Sequence, residues 1–328
     1  MHLSNRFLVF LAAALLAAGS RAASAQPAPA PADKGPAEVT VAPIVVGGVR
    51  AKTVETQARS FVEAYAAAPH PVIDQISRWR DPVCVQVVGL PDADQGARIK
   101  ARIESVAAAL GLPPAAKSCV ANVEVVFTPD PQATMDAVAK RREPMLGYFH
   151  VHNRTRLKTV SHPIQSWYQT ATRGEATGSV SLAFSMFSDY TQQQTEVVDD
   201  PNNRAPNGCA DSKLSTSCLQ SLLHNVFIVA DSKALEGKEL GLVADDMVML
   251  ALTEPRSIDG CKALPSVLDA FANPPCAGRE PPDGLTPADA AYLTALYASD
   301  LRAKRRLESS ELAERMARIL TKGTPKGN

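Results

Sequence analysis

The chain lacks the common signatures of catalysis. It has no G-x-S-x-G turn and, past its first 25 residues, no S-x-x-K, so a serine nucleophile has no recognisable setting. Neither G-x-x-x-x-G-K-[ST] nor G-x-G-x-x-G occurs, which removes the two common phosphate-cradling loops. There is no C-x-x-C, no zinc-ribbon spacing and no H-E-x-x-H. With no such motif, no cofactor and no resident metal are expected. A surplus of basic charge is also missing. Lys and Arg number 34 and so do Asp and Glu, which argues against a nucleic-acid partner, since that would need a basic face. No apolar run after the N-terminal one approaches the roughly 20 residues of a membrane-spanning helix, so no transmembrane segment is expected in the mature chain.

The chain opens with an export pattern. Arg6 gives a positive n-region, FLVFLAAALLAAG a short apolar h-region, and Ala23-Ser24-Ala25 a small-x-small cleavage site. Residues 1–25 are expected to be a signal peptide cleaved after Ala25, and the mature protein to be periplasmic or secreted. The Ala- and Pro-rich character suggests a bacterial envelope protein. Loss of Arg6 and Arg21 leaves 32 basic and 34 acidic residues, a net charge of −2. Residues 26–38, QPAPAPADKGPAE, read as a Pro/Ala tether.

All six cysteines follow the signal: Cys84, Cys119, Cys209, Cys218, Cys261 and Cys276. An even number in an exported chain favours disulfides over metal ligands. The simplest connectivity is sequential, Cys84–Cys119, Cys209–Cys218 and Cys261–Cys276. Each closed loop would contribute roughly 2.5–4 kcal/mol in the chain-entropy account.

The hydrophobic pattern predicts an α+β fold with an N-terminal β-α-β-α sheet unit, a β-rich middle and a helical C-terminal portion. VTVAPIVVGG (39–48) reads as a first strand. A helix over 53–68 carries Val54, Ala58, Phe61, Val62 and Tyr65 on one face. The β-α-β-α unit comprises a strand at 83–90, a helix at 92–111 with Asp92 as N-cap, a strand at 119–130 and a helix at 131–143. A right-handed crossover would set its strands parallel and bring Cys84 and Cys119 to one edge of the sheet. Residues 147–200 lean towards strand, 198–217 form a long polar loop, and 224–231 a buried strand. Helices are expected at 239–252, 263–272, 287–298 and 308–320. The organisation is read as a sandwich-like α/β domain over 39–200 followed by 201–328, or as one domain continuous across both.

Candidate ligand-binding residues form three groups. His150 and His152 share a strand face, because side chains alternate with period two. With His162 they would suit zinc or copper. With Arg154 and Arg156 they would form a cationic strip for an anionic ligand or an acidic partner. The plain reading is a solvated strand face. Trp167 and Tyr168 suit a binding pocket or the cover of a strand pair. Finally, KELGLVADDMVMLAL (238–252) is an apolar helix carrying Glu239, Asp245 and Asp246. Adjacent helical positions diverge by about 100°, so the two aspartates point apart. Glu239 and Asp246 share a face but lie roughly 10 Å apart along the axis. Acids on a solvated face, or pairing with Lys238 or Arg256, are the plain reading.

The order Cys209/Cys218, strand 225–231, Glu239-Leu240-Gly241-Leu242, and Leu285-Thr286-Pro287-Ala288-Asp289 with Leu293, Leu296 and Tyr297 resembles a family of exported proteobacterial proteins of unknown function. Some of that family are lipoprotein candidates, and it is distantly similar to zinc-metallopeptidase folds. A zincin helix needs two histidines one turn apart. Aligned on Glu239, those positions here are Lys238 and Leu242, so the resemblance implies a scaffold without that zinc site. The expectation is an exported, disulfide-stabilised protein with a non-catalytic binding or structural role, and an envelope protein as partner. The alternatives are a divergent zincin-like hydrolase or a transition-metal binder using His150 and His152.

Overall fold

A computed structural model describes residues 51–66, 75–141, 158–174, 180–182, 195–196, 219–272, 274–299 and 305–322. The expected signal peptide, the tether, the 39–48 strand and the 198–217 loop lie outside them. The architecture is α+β. In chain order the elements are α1 (Ala51–Tyr65), β1 (Val85–Val88), α2 (Ala93–Ala109), β2 (Val123–Thr128), α3 (Pro131–Arg141) and β3 (Ile164–Gly174). There follow β4 (Val180–Leu182), β5 (Thr195–Glu196), β6 (Leu219–Asp231), α4 (Leu240–Leu252), a 3-10 turn (Val267–Phe271), α5 (Pro287–Ala298) and α6 (Arg305–Lys322).

One mixed sheet has the order β1-β2-β6-β3-β4-β5. β1, β2 and β6 are parallel, with Val85 opposite Val123 and Val123 opposite Val226. β3 returns antiparallel to β6, from Ile164 opposite Ala230 to Gly174 opposite Leu219, with a register shift between Gln169 and Thr170. Strands from both sides of position 200 therefore belong to one sheet. β1 stops because Gly89 (φ +88°) turns its backbone against β2. A Cβ there would sit 1.9 Å from the Phe127 carbonyl oxygen, so only glycine fits.

Alternating side chains divide the core. Val123, Val125, Val226, Ile228 and Ala230 face the larger cluster, which also takes in the stripe of α1 and, from α2, Ile99, Ile103 and Val106. Phe227, Val229 and Trp167 face the other way and pack on Met135 of α3. Helices therefore cover both faces of the sheet. Asp92 caps α2 by accepting from Asp94 N at 2.9 Å. Among the described residues two disulfides staple the chain, Cys84–Cys119 and Cys261–Cys276, with Cα separations of 6.1 and 5.6 Å. Asn122 reinforces the first, accepting from Cys84 N and donating to Pro82 O. Cys209 and Cys218 lie outside the described residues.

The segment expected to be helical at 263–272 is instead a loop ending in the short 3-10 turn. Ser266 and Asp269 form a capping box there, and the proline at 265 disfavours helix in the residue before it.

α4 differs most from an ordinary amphipathic helix, since every residue from Val243 to Leu252 is buried. A helix leaves its last carbonyls without partners inside itself. Here three find one from elsewhere: Tyr168 donates to Leu250 O at 2.8 Å, Trp79 Nε1 to Ala251 O at 2.7 Å and Tyr297 to Leu252 O at 2.8 Å. Met249 O accepts from the C-cap, from Thr253 N at 3.1 Å and Thr253 Oγ1 at 2.6 Å. A second buried junction lies beside it. The Arg78 guanidinium pairs with Glu308 of α6 and donates to Leu296 O and Ser299 Oγ at the end of α5. Glu308 also accepts from Ile76 N at 2.9 Å, and Arg78 O accepts from Leu223 N of β6 at 3.1 Å. α6 packs against α1 and α5, so this one ion pair ties the helical layer to the sheet.

Removing one member of a buried pair leaves the other charge uncompensated. Glu308→Ala is expected to lower unfolding free energy by about 3–5 kcal/mol, read by urea denaturation. Trp79→Phe and Tyr297→Phe each orphan one helix carbonyl and are expected to lose about 1–3 kcal/mol. Loss of less than about 0.5 kcal/mol in all three would contradict this account.

Candidate functional site

The sequence candidates do not converge. His150, His152 and Arg154 lie outside the described residues. His162 precedes β3, where Nε2 lies 2.9 Å from Asp259 Oδ1 and Nδ1 lies 3.0 Å from Ser161 Oγ. Trp167 is 2% exposed and is packed on the α3 side of the sheet. Its neighbour Tyr168 points the other way and reaches α4. Glu239 is exposed just before α4 and makes no side-chain cap bond. Asp246 is 3% exposed within the core. The shared face of Glu239 and Asp246 is therefore not a cleft. Among the described residues, no group of three or more His, Cys, Asp or Glu is placed to hold a metal ion.

The two aspartates of α4 diverge, as helical spacing requires, but neither is on a solvated face. Lys238 and Arg256 are exposed and are not what they meet. Asp245 turns towards α2, where Arg102 Nε donates at 2.6 Å, and it accepts from Leu285 N at 2.9 Å. Gly284 lets this happen: a Cβ there would stand 2.8 Å from Asp245 Oδ2.

Asp246 faces a buried polar group shared by α1, α5 and the 3-10 turn. Asp289, at the third position of α5, accepts from Ser266 Oγ at 2.6 Å, Val267 N at 2.8 Å, Thr286 N at 2.9 Å and Thr286 Oγ1 at 2.9 Å. It thus caps two elements at once. Burial still outweighs these donors and pushes its carboxyl up to about 6. Tyr65 hydrogen-bonds Ser266, and burial raises its phenol above the ordinary value. A second polar group lies at the far end of α4. Glu254 hydrogen-bonds Ser77, and desolvation raises its carboxyl to about 7. Ser77 Oγ is 2.9 Å from Ser221 Oγ, and Tyr168 Oη is 2.6 Å from Ser166 Oγ. Ser77 and Ser221 are 4% and 2% exposed, so a substrate cannot reach these hydroxyls without rearrangement.

An open concavity among the described residues lies elsewhere. A cavity of about 370 Å³ runs between β1 and α2, lined by Val85 to Leu90 on the strand and by Asp92, Ala93, Gly96, Ala97 and Lys100. Among the described residues β1 is an edge strand. The Cys84 carbonyl faces β2, accepting from Asn122 N and Val123 N, so alternation turns Val85 and Val87 to the free edge. At Val85, Lys100 Nζ donates to the carbonyl at 2.9 Å and Glu104 accepts from the N–H at 3.4 Å. Val88 is 43% exposed, and Val120 beside the disulfide is 89% exposed. The reading of the sequence missed this groove. Its only trace there was an apolar strand followed by a helix bearing Gly96, whose Cβ position lies 3.6 Å from Val87.

No protein family, curated protein or solved structure matches the chain.

Arg102 is partly exposed, so its pair with Asp245 is worth less than the Arg78 junction. Arg102→Met and Asp245→Asn are each expected to lose about 1–3 kcal/mol, and the double variant less than the sum of the two. Strict additivity in this double-mutant cycle would show the pair to be uncoupled.

Proposed function

We propose that this chain is an exported protein of the bacterial cell envelope that binds a partner rather than transforming a substrate. Its ligand on this reading is an extended apolar segment of polypeptide, held in the groove between β1 and α2. The observation that carries the reading is a separation. The groups with shifted acidity lie around α4, Asp246 and Asp289 buried and Glu254 half-buried, while the groove is lined by Val85, Val87, Val88 and Leu90 together with Gln86, Asp92 and Lys100. The outward N–H and C=O of Val87 can pair with an added strand, which would have to displace Glu104 and Lys100 to reach those of Val85, and flanking apolar side chains supply specificity. Export is supported by the N-terminal pattern and by the two disulfides, which persist in oxidising compartments. No described helix is long and apolar enough to cross a membrane. The metal-binding alternative rests on His150 and His152, and its third member, His162, already faces Asp259.

The purified mature chain is expected to turn over no peptide, ester or glycan substrate above the buffer rate. Turnover that stays with the protein through successive purification steps would overturn the reading. Against an array of extended apolar peptides, binding is expected to saturate. It should weaken by about tenfold or more, that is 1.4 kcal/mol, when Gly96→Leu fills the groove. Equal binding by parent and variant would contradict the groove as the site.

A further inference from the structure

Asp246 presents a problem that its neighbours do not solve. Its side chain is 3% exposed, and Oδ1 has no hydrogen-bond partner. The titratable groups that face it are acids: Asp289 from α5, Tyr65 from α1 and, from β3, Tyr168, which in turn feels Glu254. The nearby cations are used elsewhere. Arg102 of α2 holds Asp245 on the other side of the helix. Arg279, at 3.9 Å, and Lys262 act on Asp269 of the 3-10 turn. The β6 residues beneath, Val226, Ile228 and Ala230, are apolar.

We propose that Asp246 is a proton-binding site built into the fold: the native protein holds its carboxyl in the neutral acid form, and release of that proton loosens the contact between α4 and α5. A buried carboxylate with an oxygen that lacks a donor, and with no counter-ion, is far less stable than its acid. Asp289 is equally buried but receives four donors, so it is the member of the pair equipped to carry charge. Two adjacent buried carboxyls then share one negative charge, and the proton resides on Asp246. Burial first, and the Asp289 charge second, raise its carboxyl well above the ordinary value.

The direction of the pH effect follows. The unfolded chain releases this proton near pH 4, whereas the native chain keeps it. Stability is therefore fully present in acid and falls as pH rises above about 4, until the native group itself ionises. One retained proton changes the unfolding equilibrium by about tenfold per pH unit. Asp289 and Glu254 add to the slope only up to about pH 6 and 7 respectively. This makes the α4–α5 contact tightest in acid and weakest in alkali.

The test compares urea midpoints of the parent and Asp246→Asn from pH 5 to 9, with Glu254→Gln as control. Asp246→Asn is expected to flatten the slope by one proton up to the pH at which the native group ionises, and to gain on the parent as pH rises. Glu254→Gln should remove only the part that ends near pH 7. An unchanged slope in Asp246→Asn would overturn the proposal. If that variant does not fold, NMR titration of carboxyl-¹³C aspartate in the parent decides the matter. One aspartate, inaccessible to solvent, should stay protonated at pH 7. A spectrum in which every aspartate is ionised at pH 7 would overturn it as well.

Discussion

A helix buried from its second turn to its end must find partners inside the protein for the polar groups it carries there. α4 sets that constraint, and much of the structure answers it. Its final carbonyls draw Trp79 from the segment before β1, Tyr168 from β3 and Tyr297 from α5. Its first aspartate draws Arg102 from α2 and the backbone of Leu285. Each of these bonds is individually modest, near 1 kcal/mol net, but leaving any one unmade exposes the full desolvation penalty. The elements around α4 are therefore fixed by hydrogen-bond direction as well as by apolar contact.

The same logic operates at Arg78. A guanidinium 2% exposed is tolerated because Glu308, Leu296 O and Ser299 Oγ converge on it. Buried ion pairs contribute little net stability against an apolar alternative, but they penalise wrong arrangements heavily. The Arg78 junction therefore favours one placement of α5 and α6 over others that would bury the same apolar area. The two disulfides act differently. They shorten accessible loops in the unfolded chain, and Cys84–Cys119 spans the crossover between two parallel strands.

The local part of this design was legible in the sequence. The β-α-β-α unit, the α1 stripe, the α5 limits and the two described cysteine pairs follow from periodicity, caps and spacing. What was not legible depends on distant partners. Arg78 and Glu308 are 230 residues apart, and no local pattern marks either as buried. Asp245 and Asp246 interrupt an apolar run, which suggested a solvated edge. Tertiary packing instead supplied Arg102 to one of them and a second acid to the other. Trp167 was legible as a core cover, whereas the role of Tyr168 depends on an antiparallel pairing between β3 and β6 that brings it under the end of α4. The β1–α2 groove escaped notice because an edge strand and a central one read alike when the order of the sheet is unknown.

On this account α4 is the structural spine of the protein. Native-state amide hydrogen exchange tests that directly, because local opening and global unfolding are separated residue by residue. The amides of Val243–Leu252 are predicted to exchange only through global unfolding, while that of Val87, turned away from β2, exchanges through smaller openings. Fast exchange within α4 by local opening, with protection confined to the sheet, would contradict the account.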